Sequence, residues 1–253
     1  MTLHRFMVES SLVQDQSGVL DEQQSRQAVS VLRLREGDPL VLFDGSGAEA
    51  SAVIAHIDKR AVTYRVHDVS RPDREPELDL TVGLALLKGD RYELALQKLT
   101  EIGVSAVVPI RAERCVVSYR DARDWEKRAV RYRKIIVEAL EQSERVRDLR
   151  LDEPVHLEEF LSRQPTIALV ERGRRIPISM IEPGDQLAIA IGPEGGWSAH
   201  ELRLIEQHAQ MASLGSLILR AETAAIVAAG TLVQNVHRTS HLKTQQGDIQ
   251  RGS

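Results

Sequence analysis

Along roughly the first seventy positions, short apolar runs alternate with turn-forming residues. Leu3–Val8 reads as a strand, and so does Ala61–Val69. Leu40–Phe43 and Ala48–Ile57 read as two more, joined by Asp44-Gly45-Ser46-Gly47, a hairpin signal. One stretch departs from this rhythm. Asp21–Leu34 carries Ala28, Val29, Val31 and Leu32 on one side and predicts a helix, stopped by Glu36-Gly37-Asp38-Pro39. The pattern suggests a small β-barrel over residues 1–72. Residues 71–77, Arg-Pro-Asp-Arg-Glu-Pro-Glu, are polar with two prolines and read as a linker.

Beyond the linker the rhythm changes to alternating strand and helix. Leu78–Leu86 is nearly all apolar, as a strand buried on both faces of a parallel sheet must be. Asp90–Ile102 predicts a helix with Leu94, Leu96, Leu99 and Ile102 apolar, closed by Gly103, and Val104–Ile110 the next strand. Asp124–Gln142 is a long helix. Thr166–Val170 and Gln186–Ile191 follow as strands, then a helix Ser198–Gln210, a short strand Ser216–Leu219 and a final helix Glu222–Val236. From His237 the chain is polar, and residues 241–253 are expected to be a disordered tail. The class is α/β with a mainly parallel sheet, occupying residues 76–240.

Composition narrows the function. The chain has 253 residues, 42% hydrophobic and 28% charged, ordinary for a soluble globular protein. It has no apolar run long enough to span a bilayer and no signal-peptide core at its N-terminus, so a cytoplasmic location is expected, with no membrane partner. One cysteine, Cys115, excludes an internal disulfide and a cysteine-based zinc cluster, and the histidines lack metal spacing, so no metal is expected. The net charge of −4 argues against a polyanionic partner, but the average hides an asymmetry. Residues 111–134 hold nine Lys/Arg against four acids, a local excess of +5, with Tyr119, Trp125 and Tyr132 interleaved. Arginines that pair with phosphates and rings that stack on bases would make this an RNA-binding segment. A solvated helix face is the plainer reading of the same run.

Two constellations carry chemistry. In the first, strand Leu187–Ile191 runs into Gly192-Pro193-Glu194-Gly195-Gly196 and then a helix whose start is marked by Ser198 and Glu201, the two ends of a capping box. Glycines at the carboxyl end of a strand let backbone approach a ligand closely, and open α/β sheets bind ligands at that end. A tight turn needing positive φ explains the same residues. In the second, Leu214–Leu219 leads through Arg220, Glu222 and Thr223 into an Ala-rich helix that is apolar nearly all round. Those polar groups stand at a positive dipole end beside the core, or simply cap the helix and form a surface ion pair. Dinucleotide fingerprint, phosphate loop and nucleophile elbow are all absent.

The two constellations, in this order, resemble the SPOUT methyltransferase superfamily, and the chain is similar nearly end to end to the ribosomal RNA small subunit methyltransferase E family. The resemblance is carried by His4-Arg5-Phe6, Val31-Leu-Arg-Leu-Arg-Glu-Gly-Asp38, Phe43-Asp-Gly-Ser46, Lys88-Gly-Asp-Arg-Tyr-Glu93 and Gln97-Lys-Leu-Thr-Glu-Ile-Gly103. It continues in Glu113-Arg-Cys115, Glu138-Ala-Leu-Glu-Gln-Ser143, Ile191–Gly196 and Leu219-Arg-Ala-Glu-Thr-Ala224. It implies a PUA-like N-terminal barrel, a trefoil-knotted C-terminal domain and a homodimer with its active site near the subunit interface. General topology rules argue against a knot, so that feature rests on the resemblance alone. It also implies S-adenosylmethionine as methyl donor and N3 of uridine 1498 in 16S ribosomal RNA as acceptor.

The residues expected at the cofactor are Ile191, Gly192, Pro193, Glu194, Gly195 and Gly196, then Leu214, Gly215, Leu219, Arg220, Thr223 and Ala224, with Leu169, Val170 and Glu171 as a third wall. Arg220 is expected to stabilise a uracil anion, and Glu222 to act as base or to orient Arg220. Arg5, Lys88, Arg91, Arg111, Arg114, Arg123 and Arg128 are the candidates for RNA contact. The chain departs from the family pattern twice. Ser216-Leu217 stands where Pro-Arg is usual, which bears on the adenosine-side loop. Glu144-Arg145-Val146-Arg147-Asp148 replaces a stretch with Gly-Arg and Val-Pro pairs, which bears on RNA contacts.

Overall fold

The computed structural model describes residues 3–59, 61–117, 122–171 and 175–251. The chain divides into two compact units. The first is Met1–Glu75 together with Leu140–Asp148; the second is Pro76–Ala139 together with Leu149–Ser253. The return of residues 140–148 to the first unit is a long-range event that local patterning does not register.

In the first unit, strands β1 (His4–Met7) and β2 (Ser17–Val19) precede a short helix α1 (Glu22–Arg26) and a π-helical turn, Gln27–Val31. Strands β3 (Pro39–Phe43), β4 (Glu49–Ile57) and β5 (Val62–Ser70) complete a five-stranded sheet in the order β1-β3-β4-β5-β2. All pairings are antiparallel except β1 with β3. Alternate residues point inward, so Leu40, Leu42, Ala52, Ile54, Tyr64 and Val66 form a core with Phe6 and Ala28. Asp21 and Gln24 cap α1 reciprocally. The regular helix expected to Leu34 lasts only five residues. Beyond it Leu32 N–H bonds the Gln27 carbonyl, five residues back, and the widened turn leaves Val29 and Val31 exposed.

Residues 140–148 complete this unit. Arg145 and Glu75 form a buried ion pair, their side chains 8% and 9% exposed, at 3.0 Å. The same carboxylate accepts the Val146 and Arg147 backbone N–H groups at 2.8 and 2.9 Å.

The second unit is a parallel sheet. Its elements are β6 (Asp79–Ala85), α2 (Arg91–Ile102), β7 (Ala106–Arg111), α3 (Ala122–Ser143), β8 (Arg150–Leu151), β9 (Val155–His156) and α4 (Leu157–Arg163). The last residues of α3 belong to the first unit. There follow β10 (Thr166–Leu169), β11 (Ile176–Pro177), a 3₁₀ turn Ile178–Met180, β12 (Gln186–Ile191), α5 (Ala199–His208), β13 (Ala209–Ser213) and α6 (Ala221–Arg251). Strand order is β11-β13-β10-β12-β6-β7-β8, with β9 also on β7, and every pairing is parallel.

The apolar strands are buried on both faces, as their composition requires. Ala188 and Ala190 of β12 share a core with Phe160, Leu161 and Ile205 from α4 and α5. Their neighbours Ile189 and Ile191 are equally buried and point the other way, where α6 packs on β6, β12 and α2. Gly83 of β6 lies under the Phe160 ring. A Cβ there would come within 2.5 Å of Cζ, so the close approach of α4 depends on that glycine.

Three elements differ from the sequence pattern. The strand expected at Ser216–Leu219 is loop, and the strand is Ala209–Ser213 instead, starting where α5 stops. The apolar triplet Leu217-Ile218-Leu219 has strand composition, but Leu217 and Ile218 are exposed and Gly215 at φ 113° turns the chain away from the sheet. In α2 the buried stripe is Tyr92, Ala95, Leu96 and Leu99, while Leu94 faces outward. Finally, the last helix runs beyond Val236 to Arg251 through a stretch that contains no proline.

Candidate cofactor and RNA site

Strands β13, β10 and β12 are neighbours in the parallel sheet, so their carboxyl ends come out side by side. The segments that leave them surround a cavity of about 570 Å³, within the roughly 300–1,000 Å³ of small-molecule sites. Leu169, Val170 and Glu171 form one wall, Ile191–Trp197 the second, and the loop from Ser213 through Arg220 into Ala221 the third. Ala224 closes it from the first turn of α6, and Arg91 and Arg114 reach it from α2 and from the loop after β7.

The Gly-rich turn is shaped by what lies against it. A Cβ on Gly192 would meet the Trp197 indole at 3.0–3.2 Å, so the ring lies on bare backbone there. The indole Nε1–H donates to the Leu169 carbonyl at 2.9 Å, which ties the second wall to the first. Gly196 takes φ 66°, a left-handed conformation that glycine adopts without penalty. The capping box of Ser198 and Glu201 then starts α5, and Glu201 also accepts the Glu113 N–H at 2.9 Å. These are features of a backbone cradle: mostly apolar walls and exposed main chain at glycines, with five charged side chains, Arg91, Arg114, Glu171, Glu194 and Arg220, around them. An adenosine-bearing, partly charged cofactor fits such a cavity in size and in chemistry.

Three cations surround the space, and each is held differently. Arg114 donates to the Gly195 carbonyl at 3.2 Å. Arg91 donates to Glu194 at 3.2 Å and lies 3.8 Å from Glu222. Arg220 is exposed on the cavity wall, and its guanidinium makes no hydrogen bond or ion pair among the described residues. Glu222, expected from sequence as base or as orienter of Arg220, is buried behind the cavity lining, and its ion-pair partner is Arg91.

Of the cofactor candidates, all but Thr223 line the cavity; Thr223 is exposed outside it. Trp197, Arg91 and Arg114 were not expected at the cofactor. Trp197 adjoins Gly196 in sequence, so its position was the available signal, whereas the two arginines lie some eighty to one hundred residues from the loop they touch.

The RNA candidates separate into groups. Lys88, Arg111, Arg114, Arg123 and Arg128 are exposed on the second unit. Arg5 is not available in the same way: its side chain is 8% exposed, paired with Glu49 at 3.0 Å and stacked over Phe43. The base-stacking role for Trp125 and Tyr132 is corrected outright. Both are buried, and Tyr132 packs against Tyr92 and Trp125 at ring separations of 5.2 and 6.1 Å. They sit on the apolar stripe of α3 with Ile136, Ala139 and Leu140, and hydrophobic burial outweighs exposure to a ligand that is not always present. Tyr119 lies outside the described residues.

Residues 74–233 match the family model for an RNA methyltransferase domain, and residues 20–66 that for an RNA methyltransferase PUA domain. The ribosomal RNA small subunit methyltransferase E of Bacillus subtilis is 33% identical over 213 residues, 79% of this chain and 83% of that protein. The chain belongs to the ribosomal RNA small subunit methyltransferase E family. Two solved relatives carry a ligand. A methyltransferase from Legionella pneumophila, in complex with S-adenosylmethionine, matches at TM-score 0.85 and 32% identity over 92% of this chain and 97% of that one. The family member from Neisseria gonorrhoeae bound to S-adenosylmethionine matches at TM-score 0.84 and 29% identity over 91% and 97%. The fold is accordingly α/β with a parallel sheet and a PUA-like N-terminal domain.

The two departures from the family pattern now have places. Of Ser216-Leu217, it is Leu217 that lines the third cavity wall, where it contributes exposed apolar surface instead of a cation. Arg145, in the other, is the buried partner of Glu75, and burial leaves it inside the protein.

Proposed function

We propose that this RNA methyltransferase transfers the methyl group of S-adenosylmethionine to N3 of a uridine in 16S ribosomal RNA, uridine 1498 in the family numbering. The observation that carries the reading is the convergence of three strand-end segments, 169–171, 191–196 and 213–220, on one backbone-lined cavity. S-adenosylmethionine supplies a methyl group on a sulfonium, open to in-line displacement. The chain's own contribution is position and charge. The glycine turn presents main chain to the ligand, and Trp197 holds two walls at a fixed spacing.

Uracil N3 must lose its proton to become a nucleophile, and the negative charge spreads to the flanking carbonyl oxygens. Arg220 has its donors uncommitted at the cavity wall and stabilises that charge. Lys88, Arg111, Arg114, Arg123 and Arg128 meet phosphates of the RNA, which acts as part of the small ribosomal subunit. The active form is a homodimer; the exposed Leu217, Ile218 and Val227 provide apolar surface for it. Sedimentation at working concentration checks that assembly. A ribosomal RNA substrate supports the cytoplasmic location expected from sequence.

Arg220→Ala should lower kcat about a hundredfold with cofactor affinity, measured separately, little changed. Survival of methyl transfer within about threefold, roughly 0.7 kcal/mol, removes Arg220 from the transition state. The substrate is decided by mapping modified nucleosides in ribosomal RNA from a deletion strain. Loss of N3-methyluridine supports the reading. Loss of a ribose 2′-O-methyl or of a tRNA mark moves it to another RNA position. An intact modification map, with no micromolar S-adenosylmethionine binding by calorimetry, makes the protein an RNA-binding assembly factor.

A further inference from the structure

Glu222 is 5% exposed, yet its carboxylate is poorly satisfied. Oε1 lies 3.8 Å from Arg91 Nε, an ion pair too long for a hydrogen bond, and the buried Oε2 has no hydrogen-bond partner among the described residues. A carboxylate in that position is costly unless a cation stays beside it. Arg91 is that cation. It opens α2 and donates from Nη1 to Glu194 Oε1 at 3.2 Å, the same oxygen that faces the Lys88 N–H at 3.4 Å.

Glu194 belongs to the Gly-rich turn and Glu222 to the first turn of α6. One guanidinium therefore joins three segments that are far apart in the chain and that all border the cavity. Of the Arg91–Glu222 pair, only Arg91 lines the cavity. A proton acceptor has to come within about 2.6–3.2 Å of its proton, directly or through one water. Glu222 Oε2 is closed off from solvent, Oε1 faces the Arg91 guanidinium, and the residue does not line the cavity, so the carboxylate does not offer that approach.

We propose that Arg91 is a positioning residue for methyl transfer and that Glu222 acts through it, not on the reacting base. Glu222 holds the guanidinium. The guanidinium fastens the turn at Gly192–Gly196 to the head of α6, directly after Arg220, and so sets the distance between the cofactor wall and the cation of the reaction. Without Arg91, two carboxylates face the gap unneutralised and the turn is released. The proposal rests on the methyltransferase reading, but the latch itself is a property of the ligand-free protein.

Its test compares wild type, Arg91→Ala, Arg91→Lys, Glu222→Gln and the double variant Arg91→Ala/Glu222→Gln. Amide hydrogen exchange of residues 192–197 and 222–224, followed without ligand, should accelerate about tenfold or more in Arg91→Ala and by the same factor in the double variant. Arg91→Lys, which keeps the charge but not the fork that spans two carboxylates, should fall in between. Calorimetry should show S-adenosylmethionine affinity about tenfold weaker in Arg91→Ala and partly restored in Arg91→Lys. In turnover, Glu222→Gln should lower kcat about three- to tenfold with RNA KM and the acid limb of the pH–rate profile unmoved. Loss of that limb at unchanged cofactor affinity would make Glu222 the direct proton acceptor and overturn the proposal. So would unaltered exchange in Arg91→Ala, or a double variant whose losses multiply. If wild type binds no S-adenosylmethionine, the methyltransferase reading fails, and the exchange data still decide the latch.

Discussion

Two sets of arginines in this protein look alike in sequence and do opposite things. In the first unit Arg5 and Arg145 are buried against Glu49 and Glu75. In the second, Arg114 and Arg220 stand exposed at the cavity with donors to spare. A buried guanidinium must be matched by a carboxylate, because the cost of removing it from water is several kcal/mol. An exposed one costs little and remains available to an incoming anion. What separates an arginine that supports the fold from one that serves a ligand is the position of its acid, and that acid is distant in sequence: Glu75 lies 70 residues from Arg145 and Glu49 lies 44 from Arg5.

The largest expected effect is on the buried side. Arg145→Ala should cost ~3–5 kcal/mol, since it strands a buried carboxylate; the urea midpoint of the first unit reads this, and a loss under about 1 kcal/mol would break the contrast. Arg5→Ala should cost somewhat less, ~1.5–3 kcal/mol, for the charged hydrogen bond to Glu49. Arg220→Ala should leave unfolding within ~0.5 kcal/mol of wild type while methyl transfer collapses. A comparable stability loss would mean that it too is structural. Smaller again, Arg123→Ala and Arg128→Ala should each weaken RNA binding across sequences and reduce the salt slope of log K by about 1, read from titrations at several salt concentrations. An unchanged slope would take α3 out of the RNA footprint.

The smallest effect concerns pH. Hydrogen bonds from Ser198 and then His200 hold the exposed Glu113 carboxyl below its ordinary value. A depressed carboxylate adds stability that is present above the unfolded pKa and lost as pH falls through the folded one. Glu113→Gln should therefore leave acid stability unchanged and lower neutral stability slightly. Carboxyl titration followed by NMR should find Glu113 ionising below the usual glutamate range.

Much of the second unit was legible because its strands are buried on both faces and announce themselves as unbroken apolar runs. The Gly-rich turn and the segment around Arg220 were legible by spacing and resemblance, and all of their expected cavity residues except Thr223 line the space. What local pattern missed has a common cause. The run Leu217-Ile218-Leu219 has strand composition but borders the cavity, so its exposure depends on a site formed by three distant segments. Arg91 meets Glu194 across 103 residues. Trp125 and Tyr132 are a different case: with Ile136, Ala139 and Leu140 they repeat at helical spacing, a local signal of core that the base-stacking expectation passed over.

The chain has two tryptophans, and their placement provides an optical handle. Trp197 lies on Gly192 with its indole N–H bonded to the Leu169 carbonyl, in the wall of the cavity. Trp125 is packed beside Tyr132, away from the cavity lining. A ligand entering the cavity changes the surroundings of one indole and not the other. Ligand titrations can thus be followed by intrinsic emission without a label, and a Trp125→Phe variant isolates the reporting fluorophore.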